Sequence, residues 1–538
     1  MSTRGRRRAE AKRRGERSAK RSVAPVRRAP ARRSFSSRCA RFVHGHAVAF
    51  TAGVVALSLL FSWLAFQPTP HTGGDNAAYI ALGRSLLERH AYLELYDPAQ
   101  PPHTQYPPVF PGILAVAMAA GLAPWVPLKL IVVAFGAAAV GFSFLWIRRR
   151  GRPLLALGVA VLLGIAPGVL TENHWILSDA PFWCFTAAAL WAFERLPPAA
   201  RGRFLFGVAA VVIAYFTRSA GLPLAFAALG WLAWRRRWKH LAILAGVFFP
   251  LAFAWWLRAR SLGGVDYVSQ FLLVDPYSPA LGHVGMADLV RRAAENAVNY
   301  VHIHLPRLLL GRMERWLDPP SLLLFALAAV GWARSMRRPG VAELFLPLYL
   351  GLLLAWPAVW SGERFLLPAL PLLLFYSGDV VVRVATRLDR RAGLAAGAAV
   401  FALIIAAAVH ALRLEVRYAA ACREAYRAGD PYPCLPGEPW REFFAVAEAA
   451  PDALPDGAAV ISRKPRLFYA LSGLPGRIYP FTDDADTFFA FADTSRTRYL
   501  VFDGLGRPSQ AYVRPVLVRR PGAFCAMFAA PGGTALFG

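Results

Sequence analysis

Acidic residues are scarce in this chain, and charge of either sign is thin along most of its length. Asp and Glu number 32 against 61 Lys and Arg, and charged residues make up only 17% of the 538 positions. A soluble protein of this length needs a far more charged surface than that to remain in solution. The composition therefore excludes a conventional soluble globular protein.

Cysteine is rare too, and its five occurrences show no metal-ligand spacing. Cys422 and Cys434 lie close together in sequence, and outside the cytoplasm a disulfide between them would contribute about 3 kcal/mol. Two unpaired thiols are the alternative. The chain also lacks the glycine-rich loop that binds nucleotide phosphates, so nothing in it indicates a nucleotide-sugar pocket.

Apolar runs of about 20 residues recur along the chain, and each is long enough to cross a hydrocarbon core about 30 Å thick. The first run, residues 47–66, contains no charged residue. The predicted fold class is an all-α polytopic membrane domain of about 11 transmembrane helices, with a range of about 11 to 13. The predicted spans are 47–66, 126–147, 153–171, 178–194, 203–217, 220–234, 241–257, 320–334, 342–360, 364–384 and 392–412.

Positive charge is concentrated before the first span and in short loops between later ones. Residues 1–41 hold 16 Lys or Arg and two Glu, which predicts a disordered basic arm over 1–42. Because a span follows directly, we interpret the arm as a cytoplasmic anchor near anionic lipid and not as a nucleic-acid-binding segment. No small-residue cleavage site follows the apolar run, which argues against a cleaved signal peptide. The N-terminus is then cytoplasmic and the C-terminus extracytoplasmic.

The remaining chain divides into a membrane domain, residues 43–412, and an outer domain, residues 413–538. In the outer domain, short β-rich runs alternate with helical pieces, which predicts a small α/β domain. Residues 107–123 are short and proline-rich, and we predict an interfacial or re-entrant helix there. Residues 79–89 have the amphipathic pattern of a helix that lies along the membrane surface.

Two acidic residues stand at the outer ends of predicted helices. Asp75 follows Gly73 and Gly74, and Asp179 begins a span beside Glu172 and His174. Helix capping would explain each of them and is worth about 1 kcal/mol. Carboxyl groups at the lipid boundary are costly, however, and tend to be functional. The alternative to capping is an acid–base site.

Two arginines also stand at outer helix ends, against the usual bias of positive charge toward the cytoplasm. Arg364 follows Glu363, and Arg218 follows the sequence YFT. A surface pair between Glu363 and Arg364, or snorkelling of the long side chains, would explain them structurally. The functional alternative is a cation that holds a phosphate at the bilayer surface.

In order along the chain, these features resemble the GT-C superfamily of integral-membrane glycosyltransferases. The likeness is to the bacterial branch related to protein O-mannosyltransferases and aminoarabinose–lipid A transferases, and it covers roughly residues 45–385. The segments that carry it are GGDNAAYIALGRSLL with Asp75, QYPPVFPGILA with Tyr106, LSDAPFW with Asp179, TRSAGLPL with Arg218 and SGERFLLPALPLL with Arg364.

The resemblance implies roles for these residues. Asp75 is the expected general base, and Asn76 stands where many relatives have a second acid. Asp179 would orient the acceptor or help to hold a divalent metal, and no other cofactor is implied. Arg364 and Arg218 would bind the donor phosphate. The residues expected to shape the site are Tyr106, Pro107, His174 and Glu363.

The predicted activity is transfer of a sugar from a polyprenyl-phosphate carrier to an envelope lipid, glycan or protein. It would take place at the outer face of a bacterial plasma membrane. One alternative is a transporter or flippase of lipid-linked sugars, which would need charged residues deep in several helices and, often, repeated helix bundles. Another is a non-catalytic family member, which Asn76 leaves open.

Overall fold

The structure is a computed structural model, and it describes residues 35–197, 199–263, 270–388 and 390–538. The chain separates into two compact units, residues 1–45 and residues 46–538. In the first unit a helix covers Phe35–Gly45, and residues 1–34 of the predicted disordered arm lie outside the described residues.

Helices dominate residues 46–538, as the long apolar runs predict. Up to the sheet region, the helices of six or more residues are Ala47–Leu64, Gly74–Glu88, Val109–Ala119, Val126–Arg149, Pro153–Ile165, Pro167–Asn173, Asp179–Phe193, Arg201–Thr217, Leu222–Trp234, Trp238–Ser261, Met286–Asn299, Leu305–Leu310, Asp318–Ser335, Val341–Ala355, Leu370–Leu388 and Arg390–Arg427. Short 3₁₀ or π-helical turns connect several of these, including Glu363–Leu366 just before the penultimate one.

Four of the described helical segments are long and apolar enough to cross a membrane: Ala47–Leu64, Val126–Arg149, Trp238–Ser261 and Arg315–Ser335. A fifth span is formed if Pro153–Ile165 and Pro167–Asn173, which meet at a bend of 63°, are counted together. The predicted spans 220–234 and 342–360 coincide with shorter apolar helices, Ser219–Trp234 and Val341–Ala355. The mostly helical class is confirmed, while the number of crossings remains a prediction.

The helix Gly74–Glu88 differs from its predicted position on the membrane surface. Its residues 76–83 are all buried. One face packs on Val109–Ala119, where Gly83 lets Leu114 approach so closely that an added Cβ would lie 3.3 Å from the leucine Cβ. Since Ala77 also joins the core of the C-terminal region, the helix is covered from two sides. The helix Val109–Ala119, only 11 residues long, occupies the predicted re-entrant segment.

The C-terminal region contains a five-stranded sheet in the order β2-β1-β3-β5-β4. The strands are β1 Val460–Ile461, β2 Gly476–Arg477, β3 Tyr499–Phe502, β4 Ala526–Ala529 and β5 Ala535–Phe537. β1 pairs in parallel with β2 and β3, while β5 pairs antiparallel with β3 and β4. The principal helices of this region are Glu438–Ala453, Pro465–Ser472 and Ala485–Ser495.

Two contacts fasten the sheet region to the rest of the unit, and a disulfide closes a short loop ahead of the sheet. The amide of Gly476 donates to the carbonyl of Tyr96 at 2.7 Å. Arg477 forms an ion pair with Asp97 at 2.9 Å. A disulfide joins Cys422 to Cys434, with the two Cα atoms 5.7 Å apart. The C-terminal region is therefore held against the loop that follows the first span.

Candidate active site

Asp75 is the second residue of the helix Gly74–Glu88, and it does not cap that helix. The N-cap is Gly73, where a Cβ would lie 2.6 Å from the ring of His71 and would displace that ring. The capping explanation for Asp75 is therefore wrong. The helix N-terminus still favours a carboxylate electrostatically, but the side chain turns away toward three other groups.

The three groups are the side chains of Tyr106, Arg364 and Arg466, and each oxygen of the Asp75 carboxylate has at least one of them as a partner. The hydroxyl of Tyr106 donates to Oδ1 at 2.9 Å, and Nη2 of Arg364 donates to Oδ2 at 3.1 Å. Nη1 of Arg466 lies 3.9 Å from Oδ1 and donates to the hydroxyl of Tyr106 at 3.0 Å. Burial raises the pKa of Asp75, but the charges of Arg364 and Arg466 and the Tyr106 hydrogen bond outweigh it and lower the pKa to about 2.

Asp179 is the second predicted carboxylate, and it also pairs with an arginine instead of capping its helix. Its Oδ1 lies 2.9 Å from Nη1 of Arg218. The N-cap of the helix is Ser178, whose hydroxyl hydrogen-bonds to that of Tyr79 at 2.9 Å. Only 4% of the Asp179 side chain is exposed, against 39% for Asp75. Asp75 is therefore the carboxylate that an incoming molecule can reach.

Arg218 and Arg364 meet at one aromatic ring. Their guanidinium carbons lie 4.6 Å and 4.9 Å from the centre of the Phe365 ring. The face of an aromatic ring attracts cations, so the Phe365 ring brings two like charges close together. Both arginines are therefore near enough to contact one anion, and their shared role in phosphate binding stays a prediction.

Glu363 does not form the predicted surface pair with Arg364. Its carboxylate instead faces Nδ1 of His304 at 3.3 Å and Nη1 of Arg307 at 3.9 Å. The pair hypothesis is therefore wrong, because Arg364 points to Asp75 and Glu363 points to the neighbouring helix turn. Through these contacts Glu363 links the 3₁₀ turn that carries Arg364 to His304 and Arg307.

A cavity of about 680 Å³ collects most of the predicted residues. Its wall includes Asp75, Tyr106, Glu172, Arg218, Glu363 and Arg364. A polar cavity of about 630 Å³ shares Asp75 with it and extends along Glu94, Asp97 and Arg477. An apolar cavity of about 330 Å³ shares Arg218, Trp356 and Phe365 and continues past Leu222 and Leu352.

Three predicted residues are absent from the wall of the central cavity. Asp179 lies behind Arg218. His174 is turned toward the first span, where its Nε2 lies 2.9 Å from the carbonyl of Ser62, so its predicted place in the site is wrong. Pro107 precedes the helix Val109–Ala119, and its carbonyl accepts from the hydroxyl of Tyr92 at 3.5 Å.

Two residues of the site were missed by the sequence analysis, and both come from the C-terminal region. Arg466 and Lys464 line the central and the polar cavities alike. Burial, together with Arg463, lowers the pKa of Lys464. The run RKPR at 463–466, outside the membrane and at the start of a helix, was the signal that could have identified them.

The described residues do not fit a metal ion. No group of three or more His, Cys, Asp or Glu side chains among them is placed to hold one. Asp75 and Asp179 each face a guanidinium group, whose charge repels a cation. The chemistry below therefore contains no metal-dependent step.

Comparison with known proteins identifies the fold. No family model and no curated protein sequence matches the chain. The backbone is similar to that of an Archaeoglobus fulgidus oligosaccharyltransferase in complex with zinc and sulfate. The TM-score is 0.55 and the identity 14%, over 90% of this chain and 72% of that one.

It is also similar to ArnT from Cupriavidus metallidurans bound to undecaprenyl phosphate, an aminoarabinose transferase. Here the TM-score is 0.51 and the identity 15%, over 91% of this chain and 98% of that one. The chain thus has the GT-C fold, as the sequence resemblance predicts. GT-C enzymes are integral membrane proteins, and the apolar helices described above agree with that character.

Proposed function

We propose that this protein is a glycosyltransferase that moves a sugar from a polyprenyl-phosphate carrier to a hydroxyl group of an envelope acceptor. The observation that carries the proposal is the 3.1 Å ion pair between Asp75 and Arg364 on the wall of one open cavity. It supports the proposal because a carboxylate and a guanidinium group lie within reach of the same small ligand.

Arg364 would bind the donor phosphate. A guanidinium has five N–H donors, and in the described structure Arg364 uses one of them, toward Asp75. The others are free to contact phosphate oxygens in the geometry that guanidinium groups favour. Arg218 adds a second positive charge, 4.6 Å from the centre of the Phe365 ring. These fixed charges would stabilise the phosphate as it leaves.

Asp75 would act as the general base. The acceptor hydroxyl oxygen forms a bond to the anomeric carbon while the bond from that carbon to the phosphate oxygen breaks. Asp75 takes the hydroxyl proton, and the electron pair leaves with the polyprenyl phosphate. A carboxylate with a pKa near 2 is a weak base, but a phosphate that draws the charge of Arg364 away raises that pKa. Donor binding would then prepare the base.

The neighbouring cavities suit two substrates of opposite polarity. The apolar cavity beside Phe365 and Trp356 suits the isoprenoid chain of a donor that stays in the bilayer. The polar cavity beside Asp97 and Arg477 suits an acceptor that arrives from the aqueous side. The undecaprenyl phosphate bound to the similar ArnT structure supports the choice of a polyprenyl carrier.

The remaining assignments complete the proposal. Asp179 holds Arg218 in place, and Tyr106 with Arg466 fixes the orientation of Asp75. The acceptor is an envelope lipid, glycan or protein, and the reaction takes place at the extracytoplasmic face of a bacterial plasma membrane. Both acidic and basic groups lie at helix ends, as a reaction at the headgroup plane requires, whereas a transporter needs charges within its spans.

The proposal is tested by separating donor binding from chemistry. Undecaprenyl phosphate is added to the detergent-solubilised protein, and bound lipid is counted by native mass spectrometry. Arg364→Gln should weaken binding about tenfold or more, while Arg89→Gln, an exposed arginine outside the cavity, should not change it. Equal binding by the parent and both variants would show that Arg364 is not a donor-phosphate ligand.

A further inference from the structure

A separate arginine-rich cavity lies at the end of the helices remote from Asp75. It measures about 520 Å³ and is lined by residues from five segments of the chain, including Glu194 and Gly340. The helix Asp179–Phe193 begins at the candidate site and ends at this cavity. Its 15 residues span about 22 Å, so the two cavities are distinct.

Arginine dominates this cavity, and the acids that line it are already paired. Eight arginines and two acidic residues contribute to the wall. Glu194 lies 3.0 Å from Nη1 of Arg150. Asp379 bridges Arg152 at 2.6 Å and Arg383 at 2.5 Å. The carboxylates therefore pair with three of the eight arginines, and a fourth, Arg195, donates to the carbonyl of Arg150 at 3.3 Å. The other four arginines are uncompensated.

The four arginines whose charge is not compensated are Arg235, Arg334, Arg337 and Arg338. Within the described residues, none of these side chains has an acceptor or an acidic partner at ion-pair distance. They lie at the ends of two helices far apart in sequence: Arg235 follows Leu222–Trp234, Arg334 is in the last turn of Asp318–Ser335, and the other two follow that helix. Like charges in one concavity raise its positive potential, which favours an anion of high charge density.

A general bias of positive charge toward one membrane face does not account for this arrangement. That bias requires basic loops, but it does not require guanidinium groups from two loops to line one cavity with a partly aromatic wall. Phe193, Trp231 and Phe375 supply the aromatic part. Trp234 and Trp238 flank Arg235 and are 71% and 61% exposed, as is typical of tryptophan at the headgroup level.

We propose that this cavity binds the phosphate headgroup of an anionic membrane lipid. Planar guanidinium groups match phosphate oxygens in pairs, and the exposed tryptophans place the site where headgroups lie. A lipid fits these observations better than a soluble phosphate, because the exposed Trp234 and Trp238 beside the cavity would contact acyl and glycerol groups. The proposal does not depend on the proposed glycosyltransferase activity.

The test measures lipid binding to the full chain in a neutral detergent. Dioleoyl phosphatidylglycerol and dioleoyl phosphatidylcholine are titrated separately, and bound lipid is counted by native mass spectrometry. The triple variant Arg334→Gln/Arg337→Gln/Arg338→Gln should bind phosphatidylglycerol at least tenfold more weakly than the parent. The control triple Arg89→Gln/Arg507→Gln/Arg514→Gln removes the same charge from exposed positions outside the cavity and should bind within twofold of the parent.

A second variant and a second ligand keep the outcome decisive. Ser335→Glu adds one negative charge to the wall without removing any arginine and should also weaken phosphatidylglycerol binding. Inorganic phosphate should compete only weakly. Equal phosphatidylglycerol binding by the parent, Ser335→Glu and the arginine triple would overturn the proposal. Displacement of the lipid by millimolar inorganic phosphate would also overturn it and would identify a site for soluble phosphate.

Discussion

Arg364 donates to the carboxylate of Asp75 at 3.1 Å across 289 positions of sequence. The first lies in a 3₁₀ turn before a late helix, and the second lies in the first turn of an early one. Because the pair borders an open cavity, a bound anion would compete for the arginine and alter the basicity of the carboxylate. Donor binding and the ionisation of Asp75 should both depend on that competition.

Removal of the base should stop transfer without preventing folding. For Asp75→Asn we expect a fall in product of about 10²-fold or more, since asparagine keeps the shape but cannot take a proton. The product is measured by mass spectrometry of envelope glycans and lipid A in cells. Asp493→Asn, at an exposed position of the C-terminal region, is the matched control. Normal product from Asp75→Asn at parental expression would contradict the assigned role.

The ionisation of Asp75 should depend on Arg364. In the parent, the pKa of Asp75 is lowered to about 2, so the carboxylate is ionised throughout the neutral and mildly acidic range. In Arg364→Gln the largest lowering charge is lost, and the pKa should rise toward or above the ordinary value near 4. Infrared difference titration, with Asp75→Asn as the reference, follows this carboxyl directly. An unchanged titration would show that Arg364 does not control it.

The C-terminal region should contribute to the site through Arg466. We expect Arg466→Gln to reduce transfer, because Tyr106 and Asp75 both lose a charged partner. Tyr106→Phe should have a smaller effect, since it removes one hydrogen bond and keeps the ring. Thermal unfolding of both variants is compared with that of the parent. Parental transfer rates in Arg466→Gln would confine this arginine to a structural role.

The disulfide should stabilise the C-terminal region. Cys422 and Cys434 enclose a segment with a sequence separation of 12, and closure of such a loop is worth about 3 kcal/mol in the unfolded chain. The double variant Cys422→Ser/Cys434→Ser should therefore have a Tm several degrees lower than the parent in detergent. Reducing agent should lower the Tm of the parent but not that of the variant. Equal Tm values would show that the bond contributes nothing.

The predicted orientation can be tested by cysteine labelling. In a Cys525→Ser background, which removes an exposed free thiol, Asp493→Cys should react with a membrane-impermeant maleimide in intact cells. Arg236→Cys, in a basic loop, should react only after the membrane is permeabilised. The reverse pattern would invert the proposed topology.

Sequence patterns predicted much of the helical framework and three of the five strands. Uncharged runs such as residues 47–66 mark their helices because backbone polar groups in lipid must be satisfied internally. β1 and β3 fall within the predicted β-rich runs at 458–463 and 498–503, and β2 overlaps the predicted run at 477–481 only at Arg477. The hairpin of β4 and β5 was missed, although Pro531 and two glycines separate its apolar strands and are a turn signal.

The site was predicted less completely, for a physical reason. Residue type and helix-end position singled out Asp75 and Arg364, but family resemblance, not spacing, brought them together. Capping was the simpler local explanation for Asp75, and a tertiary ion pair replaced it. Arg466 could not be placed from sequence, since it reaches Asp75 only because the helix Pro465–Ser472 packs on the helix Gly74–Glu88.

That helix pair has a consequence for how the molecule could be divided. The membrane helices and the sheet region each supply part of the wall of the central cavity, so neither half contains the whole proposed site. A shortened chain that ends after the helix Arg390–Arg427 would still insert in the bilayer, but its Asp75 would be exposed to water. A C-terminal region taken from a relative should restore transfer only if it supplies a cation at the position of Arg466, beside Asp75.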